Sequence, residues 1–150
     1  MRRKILVVED DPDQLDAICW NLKNAGLAVG TASNGVDALV KTRSVLPDLI
    51  VLDLMLPQLN GLDICKTLRE NPATASIPVI MLTGMHSHLT RLAGFEAGIN
   101  VFLTKPYLPE ELLSKVEELL GPASTTSQTS RKSKSKPEKS GSNKKSLPDS

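Results

Sequence analysis

Cysteine is nearly absent from the chain: its 150 residues include two, Cys19 and Cys65. They lie far apart inside helical patterns, which excludes a disulfide framework and a thiolate pair at metal-ligand spacing. Both read as buried thiols of a reducing compartment. Long apolar runs are also missing, so no segment approaches the roughly 20 residues that cross a bilayer. Arg2-Arg3-Lys4 followed by apolar residues looks like the start of a secretory leader. The apolar stretch ends at Glu9-Asp10-Asp11, too short for a leader's core. The expectation is a cytoplasmic protein with no membrane partner. No glycine-rich phosphate loop follows that first apolar run, where a nucleotide-binding enzyme needs one. Glu9-Asp10-Asp11-Pro12 offers the opposite charge there.

What charge there is divides unevenly. Residues 122–150 hold seven basic and two acidic side chains, and residues 1–121 hold eleven and fifteen. The net charge of +1 therefore hides an acidic domain, 1–121, carrying a basic tail, 122–150. Serine, threonine and lysine dominate the tail. It lacks the apolar surface to offset the entropy of ordering, so it is expected to be disordered. Its lysines could attract nucleic-acid phosphates without sequence choice. No aromatic residue is interleaved to stack on bases, and a solubilising extension is the preferred reading.

Five strand-then-helix units can be read before Gly121. The first strand covers 4–8. Asp11 then suits an N-cap, Pro12 the first helical position and Gln14 a capping box. Leu15, Ile18, Leu22 and Ala25 follow at helical spacing, and Gly26 suits the stop. Further strands are expected at 27–31, 48–53, 77–83 and 100–104. Three intervening helices are expected to turn inward Val36, Leu39 and Val40; Leu62, Cys65 and Leu68; and Leu89, Leu92 and Ala93. A last helix, 109–120, turns Leu112, Val116, Leu119 and Leu120 inward. Trp20 reads as a half-buried residue of the first helix. Strands alternating with amphipathic helices imply a parallel sheet covered on both faces. Right-handed crossovers then lead to an α/β, flavodoxin-like, doubly wound sheet of five strands in the order 2-1-3-4-5, with five helices.

That order brings Glu9, Asp10, Asp53 and Thr83 to one rim, and Lys105 arrives from the fifth strand. Each follows or closes an apolar run, where open α/β sheets place their ligands. Carboxylates packed together repel; two unit charges 4 Å apart cost about 4 kcal/mol at a near-surface dielectric. A divalent cation removes that penalty, and an oxygen-only set suits Mg2+. Asp53 is the candidate nucleophile, since carboxylates form acyl phosphates. Such transfer needs positioning and charge neutralisation above all. Lys105 would supply charge, Thr83 a hydroxyl, and the Met55 backbone carbonyl a further metal ligand. The Lys105-Pro106 turn would fix the lysine, with a cis bond as one way to do it. Pro57 and Gly61 shape the loop after Asp53. Taken singly, Glu9 and Asp10 read as helix-start acids, Asp53 as a turn residue and Lys105 as a loop charge. Taken together they favour the site. His86 and His88 read as solvated loop histidines, because nothing nearby completes a metal set.

These segments resemble the receiver domain of two-component response regulators. The resemblance covers essentially 1–121. Its elements are Ile-Leu-Val-Val-Glu9-Asp10-Asp11, Leu-Ile-Val-Leu-Asp53-Leu-Met-Leu-Pro57 with Gly61, Ile-Met-Leu-Thr83-Gly84 and Phe102-Leu-Thr-Lys105-Pro106. It implies that Asp53 accepts a phosphoryl group from a sensor histidine kinase or a histidine phosphotransfer protein. It implies that Asp10, Asp53 and the Met55 carbonyl bind Mg2+, with Glu9 acting through water. It also implies that Thr83 and Phe102 are a switch pair, Thr83 moving toward the phosphoryl group and the Phe102 ring rotating inward.

No effector domain is expected after the receiver, since the remaining residues are few and polar. The chain then resembles a chemotaxis-type or relay regulator that switches the binding of a downstream protein. Arg91 and Glu111 fit the charged dimer face of winged-helix regulators. Asn100 and Val101 replace acids often found on that face, so the expectation is a monomer or weak dimer. An aspartyl-phosphate phosphatase would carry an aspartate two residues after its nucleophile. Met55 stands there, so the chain is not read as an enzyme. Trp20 as a kinase-docking surface, and the tail as a nucleic-acid contact, are second readings.

Overall fold

A computed structural model describes residues 2–84 and 88–121, apart from the side chains of His88 and Leu89. Strands and helices alternate strictly: β1 Lys4–Val8, α1 Pro12–Asn24, β2 Ala28–Ala32, α2 Gly35–Val45, β3 Leu49–Asp53, α3 Gly61–Glu70, β4 Val79–Thr83, α4 His88–Ala97, β5 Val101–Thr104 and α5 Pro109–Leu120. The sheet runs β2-β1-β3-β4-β5, and every neighbouring pair is parallel. This is the expected doubly wound order. Central strands β3 and β4 are buried at every position, because helices cover both faces.

The period of two divides the core. Leu6, Val8, Ile50, Leu52 and Met81 face one side, with Ile64 and Leu68 of α3. Ile5, Val7, Leu49, Val51, Ile80 and Leu82 face the other, with Leu22 of α1 and Leu112 of α5. Each strand thus ends with its last residue fixed between two packed layers, and the rim beyond inherits that rigidity.

Helix starts follow the sequence closely. Asp11, Asn34 and Asn60 accept hydrogen bonds from the N–H groups of Asp13, Asp37 and Asp63 at 3.0, 2.8 and 3.0 Å. One expected detail differs. The Gln14 amide reaches the Asp11 carboxylate at 3.1 Å rather than the Asp11 N–H, which is already donated to Glu9.

Two helices are rolled away from the expected face. Val36 and Val40 of α2 are exposed; Gly35, Ala38 and Thr42 are buried instead. A Cβ at Gly35 would lie 2.7 Å from Leu59 Cβ, so α2 approaches on its small-residue side. The Thr42 hydroxyl satisfies itself on the Ala38 carbonyl at 2.7 Å. In α4, Leu92 is exposed, and Gly94 and Ala97 are buried. Ala25 is exposed as the C-cap of α1. Trp20 is 66% exposed rather than half-buried.

Arg69 of α3 ties two connections together, the one before β4 and the one before β5. Its guanidinium donates to the carbonyls of Ala75, Ile77 and Gly98 and to Asn100 Oδ1, over 2.7–3.1 Å. Asn100 Oδ1 also accepts the Val79 N–H at 2.8 Å. At the outer strand β2, the Lys41 ammonium donates to the Thr31 carbonyl at 2.6 Å and pairs with Asp37 at 3.2 Å. The tail at 122–150, expected to be disordered, and His86 lie outside the described residues. His88 opens α4 rather than sitting in a loop.

Candidate functional site

Parallel register aligns the strand ends. Val8 lies opposite Leu52, Asp53 opposite Leu82, and Thr83 opposite Thr104. Glu9 and Asp10 follow β1, Asp53 closes β3, Thr83 closes β4, and Lys105 follows β5. The Lys105 N–H donates to the Thr83 carbonyl at 2.8 Å, fixing the fifth connection to the fourth. The Lys105–Pro106 bond is cis.

Carboxylate oxygens of Glu9, Asp10 and Asp53 all lie within 4.8 Å of one another. Glu9 is 1% exposed and Asp53 is also buried, whereas Asp10 is open to solvent. The Lys105 ammonium reaches Glu9 Oε1 and Asp53 Oδ2, each at 3.4 Å. The Met55 N–H donates to Asp53 Oδ1 at 3.2 Å, and the Asp11 N–H to Glu9 Oε2 at 3.2 Å. Burial, the hydrogen bond to Asp53 and the Asp53 charge push the Glu9 carboxyl up to about 7, while the Asp11 N–H and Lys105 pull it down. Two buried acids thus sit against one another with a single ammonium between them.

Of the residues marked in the sequence, Glu9, Asp10, Asp53 and Lys105 meet directly. Thr83 is buried at the end of the strand beside Asp53. Met55 contributes its N–H, and its side chain is 67% exposed. Phe102 stands apart from the acids, inward and 8% exposed, under α4. Gly61 closes the loop after Asp53. Its N–H donates to the Leu54 carbonyl at 2.8 Å, and a Cβ there would lie 2.8 Å from the Asp53 carbonyl oxygen.

The sequence reading passed over Tyr107. Burial first, then the charges of Glu9 and Asp53, push its phenol up to about 12. Its one visible signal is its place two residues after Lys105. A cleft of about 480 Å³ opens beside it, lined by Gln14, Ala17, Ile18 and Asn21 of α1 and by Lys105.

The family model for the response regulator receiver domain matches residues 5–117. This chain belongs to the response regulator receiver domain family. The receiver is 40% identical over 120 residues to the alkaline phosphatase synthesis transcriptional regulatory protein PhoP of Bacillus subtilis, covering 80% of this chain and 49% of that protein. It thus spans about half the length of the curated relatives it matches. Those relatives are transcriptional regulators rather than enzymes. Among solved structures, the receiver matches the chemotaxis response regulator CheY4 of Vibrio cholerae at 30% identity and a TM-score of 0.76, over 80% of this chain and all of that one (100%). It also matches the receiver domain of the sensor histidine kinase PA1611 of Pseudomonas aeruginosa at 28% identity and a TM-score of 0.75, over 81% of this chain and 100% of the other. That structure carries a magnesium ion coordinated in its active site cleft. No described helix of this chain is long and apolar enough to cross a membrane.

Proposed function

We propose that Asp53 is the phosphoacceptor of a two-component signalling switch. The observation that carries this reading is a buried carboxylate at a strand end with an ammonium at 3.4 Å and two further acids within 4.8 Å. The donor is a phosphohistidine on a sensor kinase or a phosphotransfer protein. Its P–N bond breaks, a P–O bond forms to an Asp53 oxygen, and the donor imidazole leaves with the electron pair. Lys105 faces the charge that gathers on the phosphoryl oxygens. The Thr83 hydroxyl donates to one of them. The cleft along α1 gives the donor protein an approach to Lys105.

The acidic set fits Mg2+. Three carboxylates within 4.8 Å supply only oxygen, and burial beside Asp53 disfavours the charged form of Glu9, a penalty that a cation would offset. Asp10, Asp53 and the Met55 carbonyl would hold the ion, with Glu9 acting through water. The ion supplies charge neutralisation of the phosphoryl oxygens. The magnesium in the PA1611 receiver supports this assignment.

Thr83 and Phe102 belong to the same proposal, as the pair relaying the change to α4 and on to a downstream protein. The protein is cytoplasmic, a monomer or weak dimer. Residues 1–121 are the receiver, and 122–150 are a basic extension. Incubation with a phosphohistidine donor or a small acyl phosphate, with Mg2+, should add one phosphoryl group by intact mass. Asp53→Ala and excess chelator should each prevent it. Undiminished labelling of Asp53→Ala would refute the assignment.

A further inference from the structure

A second cleft, of about 490 Å³, lies between the second half of α2 and strands β1 and β2. No residue of the acidic pocket lines it. It is open because β2 lacks a side chain where one would cover the sheet. Gly30 is level with Leu6 in the strand register, and a Cβ there would touch Leu6 Cδ1 at 3.8 Å. Glycine inside a strand weakens it and often marks a place that another group approaches closely. Val45 of α2, which also lines the cleft, is left 43% exposed.

The polar lining is cationic. Lys4 and Lys41 both line the cleft, and no acid does. The Lys41 ammonium donates to the Thr31 carbonyl at 2.6 Å and pairs with Asp37 at 3.2 Å, on the outer surface of α2. The Lys4 ammonium donates to the Val45 carbonyl at 3.2 Å. An ammonium has three donors, so among the described contacts Lys41 keeps one to spare and Lys4 two. Two cations thus face an apolar floor, in a domain whose acids outnumber its bases by fifteen to eleven.

We infer that this cleft binds a small aliphatic carboxylate, with its tail over Gly30 and its charge on the spare donors of Lys4 and Lys41. The donors call for an anion, and Leu6, Ala28 and Val45 call for an apolar tail. The occupant is a small molecule rather than an extended peptide, because Lys41 already holds the Thr31 carbonyl that an added strand would need. The volume lies within the range of roughly 300–1,000 Å³ usual for small-molecule sites. Binding needs nothing from Asp53.

The full chain is titrated with octanoate and followed by amide NMR, with octanol and octylamine as controls of matched tail. Octanoate should give saturable shifts at Gly30, Thr31 and residues 41–45, with a Kd on the order of 0.1–1 mM. Each control should bind at least about tenfold more weakly, since neither offers an anion to the ammoniums. Gly30→Val fills the cleft with a side chain that suits a strand, so it should fold and abolish the shifts. Lys4→Gln, at an exposed position, should weaken binding about fivefold. Urea midpoints check that both variants fold; if either does not, the two controls decide. No saturable shift with octanoate at millimolar concentration would overturn the inference. So would octanol binding as tightly as octanoate, or undiminished binding to folded Gly30→Val.

Discussion

Asp53 has two donors of different kinds. Its Oδ1 is held by a backbone N–H, and its Oδ2 faces the Lys105 ammonium. The loop that aims the backbone donor depends on Gly61. Gly61→Ala places a methyl 2.8 Å from the Asp53 carbonyl oxygen and 2.8 Å from Met81 Cε. Methionine can give way, but the backbone carbonyl cannot without moving Asp53. The expected loss is about 1–3 kcal/mol of stability by urea denaturation, with slower phosphoryl acceptance than the stability loss alone explains. Tyr107 offers a second measurement, since it is the chain's single tyrosine. Ultraviolet titration should give a phenol midpoint of about 12, against about 10 for the unfolded chain. The fold then holds the proton more tightly than the unfolded chain between those values. Stability is complete below the unfolded midpoint and falls as pH rises through the folded one. Tyr107→Phe should remove that fall. Asp53→Ala should lower the midpoint, leaving the shares due to burial and to Glu9.

At the scale of elements, the strands were legible and the helix rotations were not. β3 and β4 announce themselves because both faces are covered, so every residue before the closing Asp53 and Thr83 is apolar. The inward faces of α2 and α4 are made of Gly35, Ala38, Gly94 and Ala97, which carry no hydrophobic signal. The burial of the two glycines follows from how closely Leu59, Ile64 and Phe102 approach, and those partners lie outside the helices they meet. The acids of the site were readable because residue type and rim position both appear in the sequence. Gly94's fit to Phe102 and Tyr107's place near the acids come from tertiary packing alone. Arg69 belongs to this scale too. Its fork serves three carbonyls and an amide oxygen between α3, β4 and β5. Arg69→Ala leaves them short of donors and should cost roughly 2–4 kcal/mol. The urea midpoint should drop with its slope unchanged. Arg69→Lys should recover little, because an ammonium cannot reproduce the planar fork.

For the whole molecule, a cation at the rim links site chemistry to global stability. Three carboxylates crowded within 4.8 Å oppose folding when all are charged. Mg2+ held by the proposed site would bind the folded arrangement alone, so a hundredfold excess over its Kd should add about 2.7 kcal/mol. Thermal melts with Mg2+ against chelator should therefore separate by several degrees, on the order of 2–8 °C per kcal/mol. Asp10→Asn should shrink the gap, and an equal gap in that variant would count against Asp10 as a ligand.

The outermost strand carries one further consequence. Lys41 occupies the Thr31 carbonyl on the side where β2 has no neighbouring strand among the described residues. A stray strand arriving there would meet a paired ammonium in place of a vacant acceptor. One acceptor of that flank is thus taken up by the chain's own chemistry, which discourages edge-to-edge growth into aggregates.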